Sequence, residues 1–117
     1  MKIGCDIEEN SRFQGKTLDN DENFLTRIFS ARELKYCFSK KNYHQNLCAR
    51  FCAKEAYIKA SGDKNIPLNK IEVLNKEDGA PYLVVNNEEI NGTISLSHAK
   101  NNSMAVVLLN NVKNQDM

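Results

Sequence analysis

The chain has 117 residues, 41% of them hydrophobic and 26% charged, with a formal net charge of +1. That length suits one compact domain of roughly 100–150 residues, and that composition excludes both a disordered chain and a membrane-embedded one. So small a domain buries only about two-thirds of its unfolded surface, so a site that needs several walls is expected to borrow one from a neighbouring subunit.

Met1 to Ile7 begins apolar and alternates loosely, which predicts a short strand ending near Asp6 and leading into the polar stretch Glu8 to Arg12. Gly15 to Asn23 is rich in Asp, Asn and Gly and reads as a loop; Phe24, Leu25, Ile28 and Phe29 then repeat at helical spacing. Ser30-Ala31-Arg32-Glu33 is a capping box that starts a new helix, with Leu34, Cys37 and Phe38 as its apolar stripe and Ser39 to Asn42 as its end. A longer helix is predicted from Gln45 to about Ala60, stopped by Ser61-Gly62-Asp63. Ile71 to Leu74 reads as a strand, Glu77 to Pro81 as a hairpin turn and Tyr82 to Val85 as its return; Thr93 to Ser97 and Met104 to Leu109 make two further strands. Strand, helices and then hairpin-connected strands give an α+β class rather than a doubly wound parallel sheet. Residues 1–117 are expected to form a single domain whose polar tail, 110–117, frays.

The N-terminus lacks the apolar stretch of a secretory signal, so the expected location is cytoplasmic and Cys5, Cys37, Cys48 and Cys52 are expected as thiols. Cys48 and Cys52 are the only close pair, and no second pair matches them as a structural zinc site would require. With Phe51 and Ala56 they read as the packed face of a helix. Arg27, Arg32, Lys35, Lys40, Lys41, Arg50, Lys54 and Lys59 make the region up to mid-chain basic, which suits an anionic ligand or partner or, alternatively, a set of solvated helix faces.

Taken singly, the chemistry-bearing residues read blandly. Glu55 and Lys59 are spaced as a surface ion pair worth ~0.3–0.5 kcal/mol, His98 suits a hydrogen-bonded loop, and Asp6 suits a turn cap. Four blocks change that balance. They are Ile3-Gly4-Cys5-Asp6-Ile7-Glu8 with Arg12-Phe13; Arg27 to Glu33; Arg50-Phe51-Cys52-Ala53-Lys54-Glu55-Ala56-Tyr57-Ile58-Lys59-Ala60; and Ile71 to Leu74 with Gly79 to Tyr82, then Ser95-Leu96-Ser97-His98. In this order, over nearly the whole chain up to Leu109, they resemble the holo-acyl-carrier-protein synthase family, the small single-domain type of phosphopantetheinyl transferase.

The resemblance implies a phosphopantetheinyl transferase-like single domain, with helices packed on a small, mainly antiparallel sheet. It implies transfer of the 4′-phosphopantetheine group of coenzyme A to a serine of apo acyl carrier protein, in support of fatty acid biosynthesis, with adenosine 3′,5′-bisphosphate as the second product. Attack on a pyrophosphate needs negative charge held in place. Two carboxylates, Asp6 and Glu55, suit magnesium with phosphate and water completing its shell. The same resemblance assigns Lys59 to the phosphates and leaves the proton of the serine to Glu55 or to a water on the metal. It places Arg50, His98 and Gly62 against coenzyme A, the first two near the adenosine 3′-phosphate, and Arg12 and Arg27 against the acidic carrier protein. Ala99 stands where many relatives carry a threonine, which removes one hydroxyl contact to the nucleotide. The family's homotrimer, with active sites between subunits, is the expected assembly. One division would draw Asp6 and His98 from one subunit and Glu55 with Lys59 from its neighbour, and the sequence leaves the sides open. No nucleic-acid or membrane partner is expected. The rival classes are a non-catalytic basic module for an acidic protein or nucleic acid, and an inactive structural subunit of a larger synthase.

Overall fold

The structure is a computed structural model, and it describes residues 1–110. The expected frayed tail therefore lies, beyond Asn110, outside the described residues. The chain runs β1 (Lys2–Glu9), α1 (Leu18–Ile28), α2 (Ala31–Phe38), α3 (Tyr43–Ser61), β2 (Ile71–Asn75), β3 (Pro81–Val85), β4 (Glu88–Glu89), β5 (Gly92–His98) and β6 (Asn102–Leu109). This is the α+β class. The strands divide between two antiparallel sheets, ordered β1-β6-β5 and β2-β3-β4.

Helix α3 lies between the sheets, and residues on nearly every side of it are buried, from Leu47 and Cys48 through Phe51, Cys52 and Ala53 to Ala56 and Ala60. Cys48 and Cys52 are indeed packed helix positions, wholly out of water. Both sheets cover this helix over most of its circumference, and Lys59 near its end stays exposed. Gly4 lets β1 approach it: a Cβ there would run into the Ala56 carbonyl oxygen and come within 2.7 Å of the Ala60 amide nitrogen. Gly62 ends the helix in the left-handed region at φ 79°, its amide donating to the Ile58 carbonyl.

The capping box read from sequence is present. Ser30 Oγ accepts from the Glu33 amide, and Glu33 Oε1 accepts from the Ser30 amide at 3.0 Å. Phe13 is fully buried and packs against Phe24, Phe29 and Phe51, with ring centroids 5.7 to 6.1 Å apart.

Two expectations change. Strand β1 does not end near Asp6 but runs on to Glu9, so Asp6 sits mid-strand, paired with Ala105. Leu18 to Asn23, read as loop, is the first half of α1. Thr17 caps that helix by accepting from the Asn20 amide, and Asp21 Oδ2 accepts from the Thr17 amide at 2.9 Å. The acidic residues that looked like loop are thus first-turn residues, which the positive end of a helix favours; Asp21 itself departs from helical angles and kinks the element.

Candidate active site

Inward-facing residues of β1 meet one side of α3. Lys59 Nζ donates to Asp6 Oδ1 and to the Cys5 carbonyl oxygen, each at 3.0 Å. The other carboxylate oxygen of Asp6 is buried and has no hydrogen-bond partner among the described residues. Glu55 stands one turn before Lys59 on the same helix. Burial raises the Glu55 carboxyl above its ordinary value, and the negative charges of Asp6 and Glu8 raise it further. Lys59 is held above the usual lysine value first by its hydrogen bond to Asp6 and then by that carboxylate's charge. Asp6 and Glu55 thus share the exposed ammonium of Lys59, while Glu8 is paired with Arg12, and one buried oxygen of Asp6 is left unpartnered among the described residues. Asp6 and Glu55 fit a hard cation. Among the described residues no cluster of three or more His, Cys, Asp or Glu is preformed to hold a metal, so such an ion would complete its shell with phosphate and water.

Arg12 borders this group. Its guanidinium donates to Glu8 Oε1 at 2.8 Å and lies over the Phe51 ring, 4.6 Å from the centroid. Arg27 is exposed in the last turn of α1 and joins neither this group nor the second one.

The second group lies round the helix. Residues 50 and 54 share a face of α3 that looks toward β2, whereas 55 and 59 look toward β1. Arg50 is 3% exposed; its Nη2 donates to Asn75 Oδ1 at 2.6 Å, and its guanidinium stacks 4.5 Å from the Tyr36 ring centroid. A cleft of about 310 Å³ opens here, with Tyr36, Arg50, Asn75, Gly79, Pro81 and His98 among its lining residues. The structure therefore brings Arg50 and His98 together, and separately brings Asp6, Glu55 and Lys59 together. Gly62, which ends α3 three residues beyond Lys59, does not line the cleft. A division of Asp6 from Lys59 between subunits does not hold: the two are in contact within one chain.

Half of the basic residues read from sequence, Arg32, Arg50, Lys54 and Lys59, are committed to partners within the chain. Lys54 is completely buried and donates to Glu33 Oε1 at 2.6 Å, to the Leu68 carbonyl at 3.1 Å and to the Ile71 carbonyl. Burial pushes its ammonium below the usual lysine value, and Glu33 opposes that shift. Arg32 grips Glu72 with two hydrogen bonds of 3.1 and 2.7 Å. Asn75 and Tyr36 were not singled out from sequence. Asn75 carries no signal beyond its place at a strand end, since its partner lies on another element.

A family model described as the 4′-phosphopantetheinyl transferase superfamily matches residues 2–109. The chain is 37% identical over 122 residues to a holo-[acyl-carrier-protein] synthase of Cytophaga hutchinsonii, covering 92% of this chain and 95% of that protein. Its fold is similar to a Bacillus anthracis holo-(acyl-carrier-protein) synthase solved in complex with CoA (3′,5′-ADP), with a TM-score of 0.74 and 31% identity over 92% of this chain and 94% of that one. It is also similar to the Helicobacter pylori holo-[acyl-carrier-protein] synthase in complex with coenzyme A, with a TM-score of 0.77 and 25% identity over 92% and 99% of the two chains.

Proposed function

Since this chain belongs to the 4′-phosphopantetheinyl transferase superfamily, we propose that it moves the 4′-phosphopantetheine group of coenzyme A onto a serine of apo acyl carrier protein. The products are the holo carrier protein, ready for fatty acid synthesis, and adenosine 3′,5′-bisphosphate. The observation that carries this reading is the Asp6, Glu55 and Lys59 group, with its buried, unpartnered Asp6 oxygen. A binding module resting on basic helices would have no use for that oxygen.

The serine hydroxyl attacks the phosphorus that bears the pantetheine arm, a new P–O bond forms, and the bond to the bridging pyrophosphate oxygen breaks. Asp6 and Glu55 would hold a magnesium ion, and that ion would supply charge neutralisation at the pyrophosphate. Lys59, on an exposed face beside Asp6, adds a positive charge to the non-bridging oxygens as the transition state forms. Glu55 takes the serine proton directly or through one water. Arg50 and His98 hold the adenosine 3′-phosphate in their cleft, Gly62 gives the pantetheine arm room at the end of α3, and Arg12 and Arg27 meet the acidic carrier.

Because the two groups lie on different sides of α3, one coenzyme A molecule is best served by the Asp6 side of one chain and the Arg50 side of another. This supports a homotrimer with sites between subunits. So does the outer face of the β1-β6-β5 sheet, where Ile3, Ile7 and Met104 are 67%, 63% and 40% exposed and Cys5 lies between the two isoleucines. Apolar residues exposed together mark an interaction surface. Four free cysteines suit a reducing, cytoplasmic setting.

The test is the intact mass of an apo acyl carrier protein after incubation with this chain, coenzyme A and magnesium. The expected result is a gain of one phosphopantetheine group, abolished by a chelator and reduced at least a hundredfold in rate by Asp6→Ala or Glu55→Gln, with the fold intact by circular dichroism. No gain with several carrier proteins would overturn the reading.

A further inference from the structure

Asn75 is the last residue of β2, paired with Pro81 across the hairpin, and its side-chain amide is used at both ends. Its Oδ1 accepts from Arg50 Nη2 at 2.6 Å, while its Nδ2 donates to the Gly79 carbonyl oxygen at 3.0 Å. Gly79 and Pro81 form one wall of the cleft, Arg50 its floor, and Tyr36 lies against the guanidinium. A guanidinium on a long, flexible stem is a poor anion receptor unless its plane is fixed, because ordering it costs conformational entropy at the moment of binding. Here the plane is fixed by two contacts, the Tyr36 ring and Asn75 Oδ1. Arg50 Nε is buried and has no partner among the described residues. The amide is also a neutral acceptor, so it orients Arg50 without cancelling its charge, as a carboxylate in the same place would.

We propose that Asn75 is the positioning residue for the cleft: it fixes the Arg50 guanidinium and ties it to the Gly79–Pro81 wall, and so sets the preference for a donor that carries a 3′-phosphate. This rests on the assignment of Arg50 to that phosphate. Lys54 reinforces the arrangement one turn along, because its bond to the Ile71 carbonyl pins the start of the same strand to the same helix.

The experiment compares coenzyme A with 3′-dephospho-coenzyme A as donors for wild type, Asn75→Ala, Asn75→Asp and Arg50→Ala, with thermal unfolding followed in parallel. Asn75→Ala is expected to raise KM for coenzyme A about tenfold, as loss of a hydrogen bond to a charged group implies, while changing kcat and the dephospho donor by less than about threefold. Asn75→Asp keeps the shape and the acceptor but neutralises Arg50, so it is expected to raise that KM further still. Preference for the phosphorylated donor should collapse in Arg50→Ala. Equal losses on both donors in the Asn75 variants, or no loss, alongside collapsed preference in Arg50→Ala, would overturn the role of Asn75 alone. Retained preference in Arg50→Ala would overturn the Arg50 assignment and this inference with it.

Discussion

Lys54 lies wholly out of water among three oxygen partners, and Glu55, the next residue, reaches the acidic group at β1. One step of 100° along a helix separates a structural charge from a catalytic one. The sequence did not indicate the partners of Lys54, because Glu33, Leu68 and Ile71 are distant in the chain. Glu33 was legible as a cap and is also the counter-ion of Lys54 and the acceptor for the Val73 amide at 2.8 Å. Lys54→Met leaves that carboxylate buried without its cation, a loss of about 3–5 kcal/mol for buried pairs. The lower half of that range is expected here, since Glu33 keeps its amide donors, and urea unfolding measures it. A loss under about 1 kcal/mol would mean that water reaches Glu33 in the variant.

At the scale of elements, the close approach of β1 to α3 decides whether Asp6 reaches Lys59. Gly4→Ala puts a methyl group into the Ala56 carbonyl oxygen, and overpacking of this kind costs about 1–3 kcal/mol. The strand must also lift from the helix, so turnover is expected to fall together with melting temperature; assays well below the new midpoint would reveal a loss that stability alone does not explain. The helices and hairpins were legible from local signals: the capping box at Ser30, the stop at Gly62, the turn before Pro81. The start of α1 was not, because Asp and Asn serve loops and helix first turns equally well, and the Thr17 and Asp21 side chains that decide the matter act reciprocally. The two-residue strand β4 was missed too, although Asn86 and Asn87, at φ 51° and 69°, are the residues that a tight hairpin turn of this kind requires.

For the whole molecule, the separation of the two residue groups around α3 makes a sharp claim about assembly. If each site is built from the Asp6 side of one chain and the Arg50 side of the next, Glu55→Gln and Arg50→Ala damage different halves. Co-refolding the two impaired variants is then expected to restore activity at low coenzyme A to about a quarter of the wild-type level, through sites that receive both intact halves. Absence of recovery in a mixture shown by mass to contain mixed assemblies would place each site within one chain. The α+β class was legible from element order alone. The division into two sheets on either side of one helix was not, since β1 pairs with β6 across almost the full chain and nothing local specifies that register.

The position of Cys5 carries a practical consequence. Of the four thiols, Cys37, Cys48 and Cys52 are sealed in the interior, and burial pushes the Cys37 thiol up to about 12. Cys5 alone opens outward, on the apolar face proposed to be covered by other subunits. A native chain therefore offers an alkylating reagent one sulfur when solitary and none when its outer sheet is occupied, so the stoichiometry of labelling gauges association without a tag, a dye or an added mutation.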